Sequence, residues 1–162
     1  MENLALLDRV KAEPASDTRP VEEAARRALV AVVSDDPALA DSIESVCDFL
    51  DIGVELLPSA VSLGALLPSL RPMAVIAEMD SGGQDGCHVL MEVAAVDRDL
   101  PVMLLLGADA DMAGAADAVA ELWGLRAVTV RATLPRVGQF VDFLFRAGRR
   151  AGSLRAMPVQ SA

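Results

Sequence analysis

Aromatic residues are scarce in this 162-residue sequence, which has four Phe, one Trp and no Tyr, 3% of the chain. Any core must therefore be aliphatic, built from Val, Leu, Ile, Ala and Met, and a hydrophobic content of 53% leaves ample material for one. No apolar run approaches the ~20 residues that a membrane helix requires, so no membrane partner is expected. The first ten residues include Asp8 and Arg9 and lack a basic start, an apolar stretch and a small-residue cleavage site. Export is therefore not expected, and a cytoplasmic protein is. Cysteine is limited to Cys47 and Cys87, forty positions apart. That fits neither a metal-ligand nor a redox spacing, and both read as buried structural thiols. The single histidine, His88, has no nucleophilic Ser or Cys in a recognisable motif beside it. It reads as a half-exposed helix residue.

What is present in excess is negative charge, unevenly spread. The chain nets −10; residues 35–121 hold 17 acids and two bases, whereas residues 122–162 hold seven arginines and one acid. The acidic middle would repel a phosphate backbone, so no nucleic-acid partner is expected. The arginines of the end, Arg146, Arg149, Arg150 and Arg155, can meet an acidic partner or simply lie at the negative pole of a helix dipole.

Five apolar runs alternate with stretches of helical periodicity. The strands are expected at 28–34, 54–57, 73–79, 101–106 and 127–131. The helices are expected after Pro37 up to Gly53, over 59–70, from an Asp85 cap to about Val96, over 112–122, and from Pro135 to Arg149. Strands buried on both faces and joined by single helices imply a five-stranded parallel doubly wound sheet, an α/β fold with helices on both faces. The domain spans residues 28–149. Residues 1–27 form an N-terminal extension, with one short helix over 1–11 and a linker, and 150–162 are expected to be a disordered tail.

In such sheets the functional groups gather beyond the carboxyl ends of the strands. The positions concerned are Ser34–Asp36, Glu78–Asp80, Leu106–Asp109 and Arg131. In three stretches, VVSDDPAL at 32–39, RPMAVIAEMDSGGQDG at 71–86 and LPVMLLLGAD at 100–109, the chain resembles the receiver domain of bacterial two-component response regulators, the CheY-like family. The likeness covers about residues 28–148. In that family an Arg-Pro pair precedes the phospho-accepting aspartate by seven residues and an Asp-Gly pair follows it by seven. Arg71-Pro72 and Asp85-Gly86 both place Glu78 at the acceptor position.

The resemblance implies a pocket in which an acidic pair, the acceptor and a carbonyl hold Mg²⁺, while a Thr or Ser and a Lys bind the phosphoryl oxygens. This sequence departs from that pattern at nearly every reactive position. Ser34 and Asp35 take the acidic-pair positions, with Asp36 next door and its side chain expected on the other side of the chain. Glu78 replaces aspartate, and its extra methylene moves the nucleophilic oxygen by ~1.5 Å, a misplacement on the order of a hundredfold in rate. Leu106, five residues after Pro101, takes the switch position and cannot donate a hydrogen bond. Arg131, seven residues after Gly124, takes the lysine position, and Ala132 replaces the usual proline.

These departures imply a degenerate receiver, not an enzyme, that acts by protein–protein contact without phosphorylation. Glu78 either mimics the phosphorylated state or fills the pocket, with Arg131 as its ion-pair partner. No cofactor is expected. A weak Mg²⁺ site at Asp35, Glu78 and Asp80, with residual phosphotransfer, is the alternative. A flavodoxin-like ligand-binding module is another, although the loops lack aromatics to stack on a flavin, and Ser81-Gly82-Gly83-Gln84 lacks P-loop spacing and its lysine. Trp123 is expected to pack helix against sheet. Phe140 and Leu144 belong to the core stripe of the last helix with Val137 and Val141, whereas Phe143 and Phe145 mark an apolar margin. In the family the fourth helix, fifth strand and fifth helix form the usual contact face. A homodimer through it, or docking of a kinase, regulator or output protein, is expected. Between 106 and 124 the chain is some three residues longer than the family spacing, so this face is remodelled. With so few residues after 150, output is expected to come from a partner protein.

Overall fold

A computed structural model describes residues 28–81, 84–108 and 111–152; for residues 62, 80, 81, 84 and 85 it describes the backbone alone. The expected helix over 1–11, the linker and the tail beyond 152 lie outside the described residues.

Strand β1 (Leu29–Val33, LVAVV) is followed by helix α1 (Pro37–Phe49) and β2 (Gly53–Leu57). A 3₁₀ turn (Ala60–Ser62) leads into α2 (Leu63–Leu70) and then β3 (Ala74–Glu78). A two-residue hairpin, Asp80–Ser81 with Gln84–Asp85, precedes α3 (Gly86–Val96). The chain closes with β4 (Val102–Leu105), α4 (Met112–Trp123), β5 (Val128–Arg131) and α5 (Val137–Ala151). The five long strands form one parallel sheet in the order β2-β1-β3-β4-β5, the doubly wound architecture that the alternation of apolar runs implies.

The strands alternate between two cores because successive side chains point to opposite faces. Ala31, Val33, Val75, Ala77, Val102 and Leu104 face α2, α3 and α4, meeting Leu63, Leu67, Leu90, Val93 and Ala116. Val30, Val32, Ile76, Met103 and Leu105 face α1 and α5, meeting Ile43, Cys47, Phe140, Phe143 and Leu144. Both cores are aliphatic apart from the two phenylalanines of α5, as the scarcity of aromatics requires. The Cys47 thiol is buried there, and burial, then the nearby Asp48 and Glu44 charges, push it up to about 11, so it stays protonated. Cys87 is only half-buried, which corrects the expectation that both thiols are interior.

Several boundaries differ from the sequence expectation for identifiable reasons. Helix α1 stops before Gly53: Asp51 adopts the left-handed turn at φ 56°, a conformation Asp tolerates, and Gly53 opens β2 opposite Leu29. Helix α2 starts at Leu63, after a 3₁₀ turn capped by Ser59. It ends at Leu70 as expected, with Arg71 left-handed at φ 47° because Pro72 disfavours helical backbone at the residue before it. Helix α5 starts at Val137, not Pro135, and Val137 is exposed rather than on the core face.

No helix among the described residues is long and apolar enough to cross a membrane. At the far end of α5, Arg150 bonds Asp97 at 2.8 Å and ties the last turn to the segment after α3. Burial alone would raise the Asp97 carboxyl. The Arg150 hydrogen bond, the Asp99 N–H at 2.9 Å and the arginine charge outweigh it and hold the group below its ordinary 3.8. Ion pairing of a depressed acid stabilises the fold fully above the unfolded-state value and fades as pH falls through the folded one. Arg150→Ala is therefore expected to lower stability by up to about 1 kcal/mol at neutral pH. The difference from wild type should close as urea midpoints are followed down to about pH 2; a gap that persists there would place the effect in packing.

Candidate functional site

The strand order reverses direction between β1 and β3, and that switch point opens a crevice beyond their carboxyl ends. Ser34 leaves β1 into this crevice, and Glu78 is the last residue of β3, with Val33 opposite Ala77. The two side chains meet: the Ser34 hydroxyl donates to Glu78 Oε2. Ser34 Oγ in turn accepts the backbone N–H of Asp36 at 2.9 Å. The serine is thus held from one side by backbone and spends its single proton on the glutamate.

Asp36 does not reach the pocket. Its Oδ1 accepts the Ala38 N–H at 2.9 Å and caps α1, with Pro37 at the first helical position. Its side chain therefore points away from the pocket, as expected, and the cap shows what it does instead. Asp35 is exposed at the mouth.

The far side of the crevice is apolar or distant. Leu106 is 7% exposed, its side chain part of the core under α3 and α4. Its N–H bonds the Arg131 carbonyl at 2.8 Å, so the positions following β4 and ending β5 are joined through backbone, not side chains. Arg131 itself is exposed. Among the described residues no ion pair joins it to Glu78, which corrects the expected Glu78–Arg131 pairing. The Glu78 carboxylate takes its hydrogen bond from Ser34 on the neighbouring strand β1, and the long Arg131 side chain is turned to solvent.

Among the described residues no group of three or more His, Cys, Asp or Glu is placed to hold a metal. The side chain of Asp80, the third member of the weak Mg²⁺ set, lies outside them. The donors that are described fit Mg²⁺ poorly: a neutral hydroxyl stands at one acidic-pair position, with its proton committed to the carboxylate opposite.

The expected contact surface is redrawn. Phe143 is 6% exposed and belongs to the core, because the buried stripe of α5 is wide enough to take in residues 140, 143, 144 and 147. Phe145 stays 39% exposed. Trp123 is 41% exposed instead of packed between helix and sheet, since α4 turns Ala116 and Ala120 inward. Leu122 beside it is also exposed. His88 is half-exposed as expected, 3.5 Å from Glu92 one turn along α3.

No family model matches the chain, and no curated protein does. Solved structures do match. The signal receiver domain of a response regulator from Bacteroides fragilis superposes with a TM-score of 0.59 at 21% identity, covering 80% of this chain and 99% of that one. The receiver domain of nitrogen regulatory protein C in its apo form gives 0.63 at 21% identity, over 77% and 97%. The receiver domain of a sensor histidine kinase from Pseudomonas aeruginosa, which holds a magnesium ion in its active-site cleft, gives 0.58 at 17% identity, over 78% and 98%. At these identities the likeness is one of fold: the chain has the flavodoxin-like fold of signal receiver domains.

Proposed function

We propose that the chain is a receiver domain of a two-component signalling system that works without an aspartyl phosphate and passes its signal by protein–protein contact. The observation that carries this reading is the Ser34–Glu78 hydrogen bond at the switch point. A receiver's acceptor must present a free carboxylate oxygen to a metal and to an incoming phosphorus. Here the carboxylate at that position is a glutamate held by a neutral hydroxyl. The second half of the switch is also missing, because the Leu106 side chain is buried and offers no hydroxyl to a phosphoryl group. In this reading Glu78 fills the pocket, the chain catalyses nothing itself, and its place is the cytoplasm. Its partner is a kinase, a regulator, an output protein or a second copy, met through the face of α4, β5 and α5, where Leu122, Trp123 and Phe145 are exposed.

The test is direct. With Mg²⁺ and acetyl phosphate the intact mass should stay unchanged, under conditions where an active receiver gains about 80 Da. Glu78→Asp should also stay unmodified, since Ser34 and Leu106 remain. A stoichiometric gain in the wild type would overturn the reading in favour of a weakly phosphorylated receiver.

A further inference from the structure

We infer that Ser34 is the residue that closes this pocket to divalent cations, and that Ser34→Asp alone reopens it. The inference rests on the proposed receiver reading for the identity of the pocket, but it concerns cation affinity, which is measured without any phosphoryl donor.

A serine hydroxyl has one proton and two lone pairs. The Asp36 N–H fixes one lone pair at 2.9 Å, and that N–H is itself fixed because Asp36 caps α1. The remaining proton is delivered to Glu78 Oε2. A cation approaching Glu78 from this side meets the positive end of an O–H dipole, and to bind it must turn the hydroxyl away and break that bond. Magnesium compounds the difficulty, because it sheds water reluctantly and is held through carboxylates. The serine has therefore done for Glu78 what a cation does in a cleft lined by carboxylates: it satisfies the oxygen without adding charge.

Aspartate at position 34 reverses each term. Its carboxylate can still accept the Asp36 N–H and so keeps its place, but it has no proton to give. Two like charges then face each other across a hydrogen-bond distance, an arrangement that calls for a cation between them. Asparagine has nearly the same shape, accepts the same N–H and donates its amide to Glu78. Ser34→Asn is thus the control that changes size without changing charge.

Two measurements decide the matter: Mn²⁺ titration followed by electron paramagnetic resonance, and melting temperatures in EDTA against Mg²⁺. Wild type and Ser34→Asn should melt alike in both buffers. Ser34→Asp should melt about 5 °C lower in EDTA and recover in Mg²⁺. It should also bind Mn²⁺ about tenfold or more tightly than wild type, as an added carboxylate in a small oxygen site does. The inference is overturned if wild type binds Mn²⁺ as tightly as Ser34→Asp, or if Ser34→Asp gains nothing over Ser34→Asn. Should Ser34→Asp not fold, the wild type decides: saturable Mn²⁺ binding that is lost in Glu78→Gln overturns the inference, and the absence of binding sustains it. Wild-type Mn²⁺ binding without a gain of about 80 Da from acetyl phosphate would overturn this inference alone, whereas a mass gain would overturn the proposed function, so the two failures are distinguishable.

Discussion

Phe140→Ala should destabilise the protein by about 3–5 kcal/mol, a large part of the roughly 5–15 kcal/mol that holds a domain of this size together. Phe140 is 0% exposed and is the largest of the fully buried side chains among the described residues. It plugs the layer between α1, α5 and the sheet, among Ile43, Cys47, Ile76, Met103 and Leu144. The core around it is aliphatic apart from Phe143 on the same helix, and close-packed side chains locked in their rotamers relax only partly into the gap. Phe145, five residues along the same helix, provides the comparison. It is 39% exposed and absent from both cores, so Phe145→Ala should change stability by only about 0.5 kcal/mol. Urea unfolding followed by far-ultraviolet circular dichroism measures both. Equal losses would mean that the inward face of α5 has been misassigned.

That helix also marks where sequence patterning succeeds and where it stops. The three central strands β1, β3 and β4 were legible as apolar runs because they are buried on both faces. The edge strands β2 and β5 were legible from short β-branched or apolar stretches although they are partly exposed. The runs overreached by one residue at several ends. Met73, Met79 and Leu106 are buried and apolar yet lie outside the ladder, and burial is what hydrophobicity reports. Phe143 was misplaced for a related reason. A stripe drawn through 137, 140, 141 and 144 runs along one edge of α5, whereas the true centre lies over 140, 143, 144 and 147 and leaves Val137 exposed. Trp123, just before Gly124 at the end of its helix, was expected to pack helix against sheet and instead is partly exposed. Two small residues, Ala116 and Ala120, let α4 sit close to the core and leave its large side chain outside.

At the site, two spacings led to Glu78 and the polar strand ends led to Ser34, but their partnership was not legible. Charge invited a match between Glu78 and Arg131, a cation at a strand end. The carboxylate is bonded instead by the hydroxyl ending the neighbouring strand, and the arginine faces solvent. A hydroxyl and a carboxylate ending adjacent strands were the signal available. Asp51 carried no such signal: its left-handed backbone follows from where α1 must end, whereas at Arg71 the following Pro72 marked the helix end but not the left-handed turn itself.

The Asp85-Gly86 pair, by contrast, was legible as a spacing before it had a physical cause, and Gly86→Ala supplies the test of that cause. A Cβ on Gly86 would lie 2.6 Å from Met79 Sδ, 2.8 Å from Met79 Cα and 2.9 Å from Leu104 Cδ1. The methionine tip can move, but the Cα cannot move without shifting the backbone next to Glu78. The Gly86 N–H is bonded to the Met79 carbonyl at 2.8 Å, which pins the two segments together. Overpacking of this kind costs about 1–3 kcal/mol, and because a backbone atom is involved the upper end is expected. Gly114→Ala is the matched control. Nothing lies within 4 Å of a Cβ there, on an exposed turn of α4, so the same substitution should stabilise by about 0.5 kcal/mol through helix propensity. Opposite signs in the two denaturation midpoints would establish that the glycine marks a close approach of α3 to the end of β3. A neutral Gly86→Ala would mean that this end of the strand can yield, and with it the position of Glu78 against Ser34.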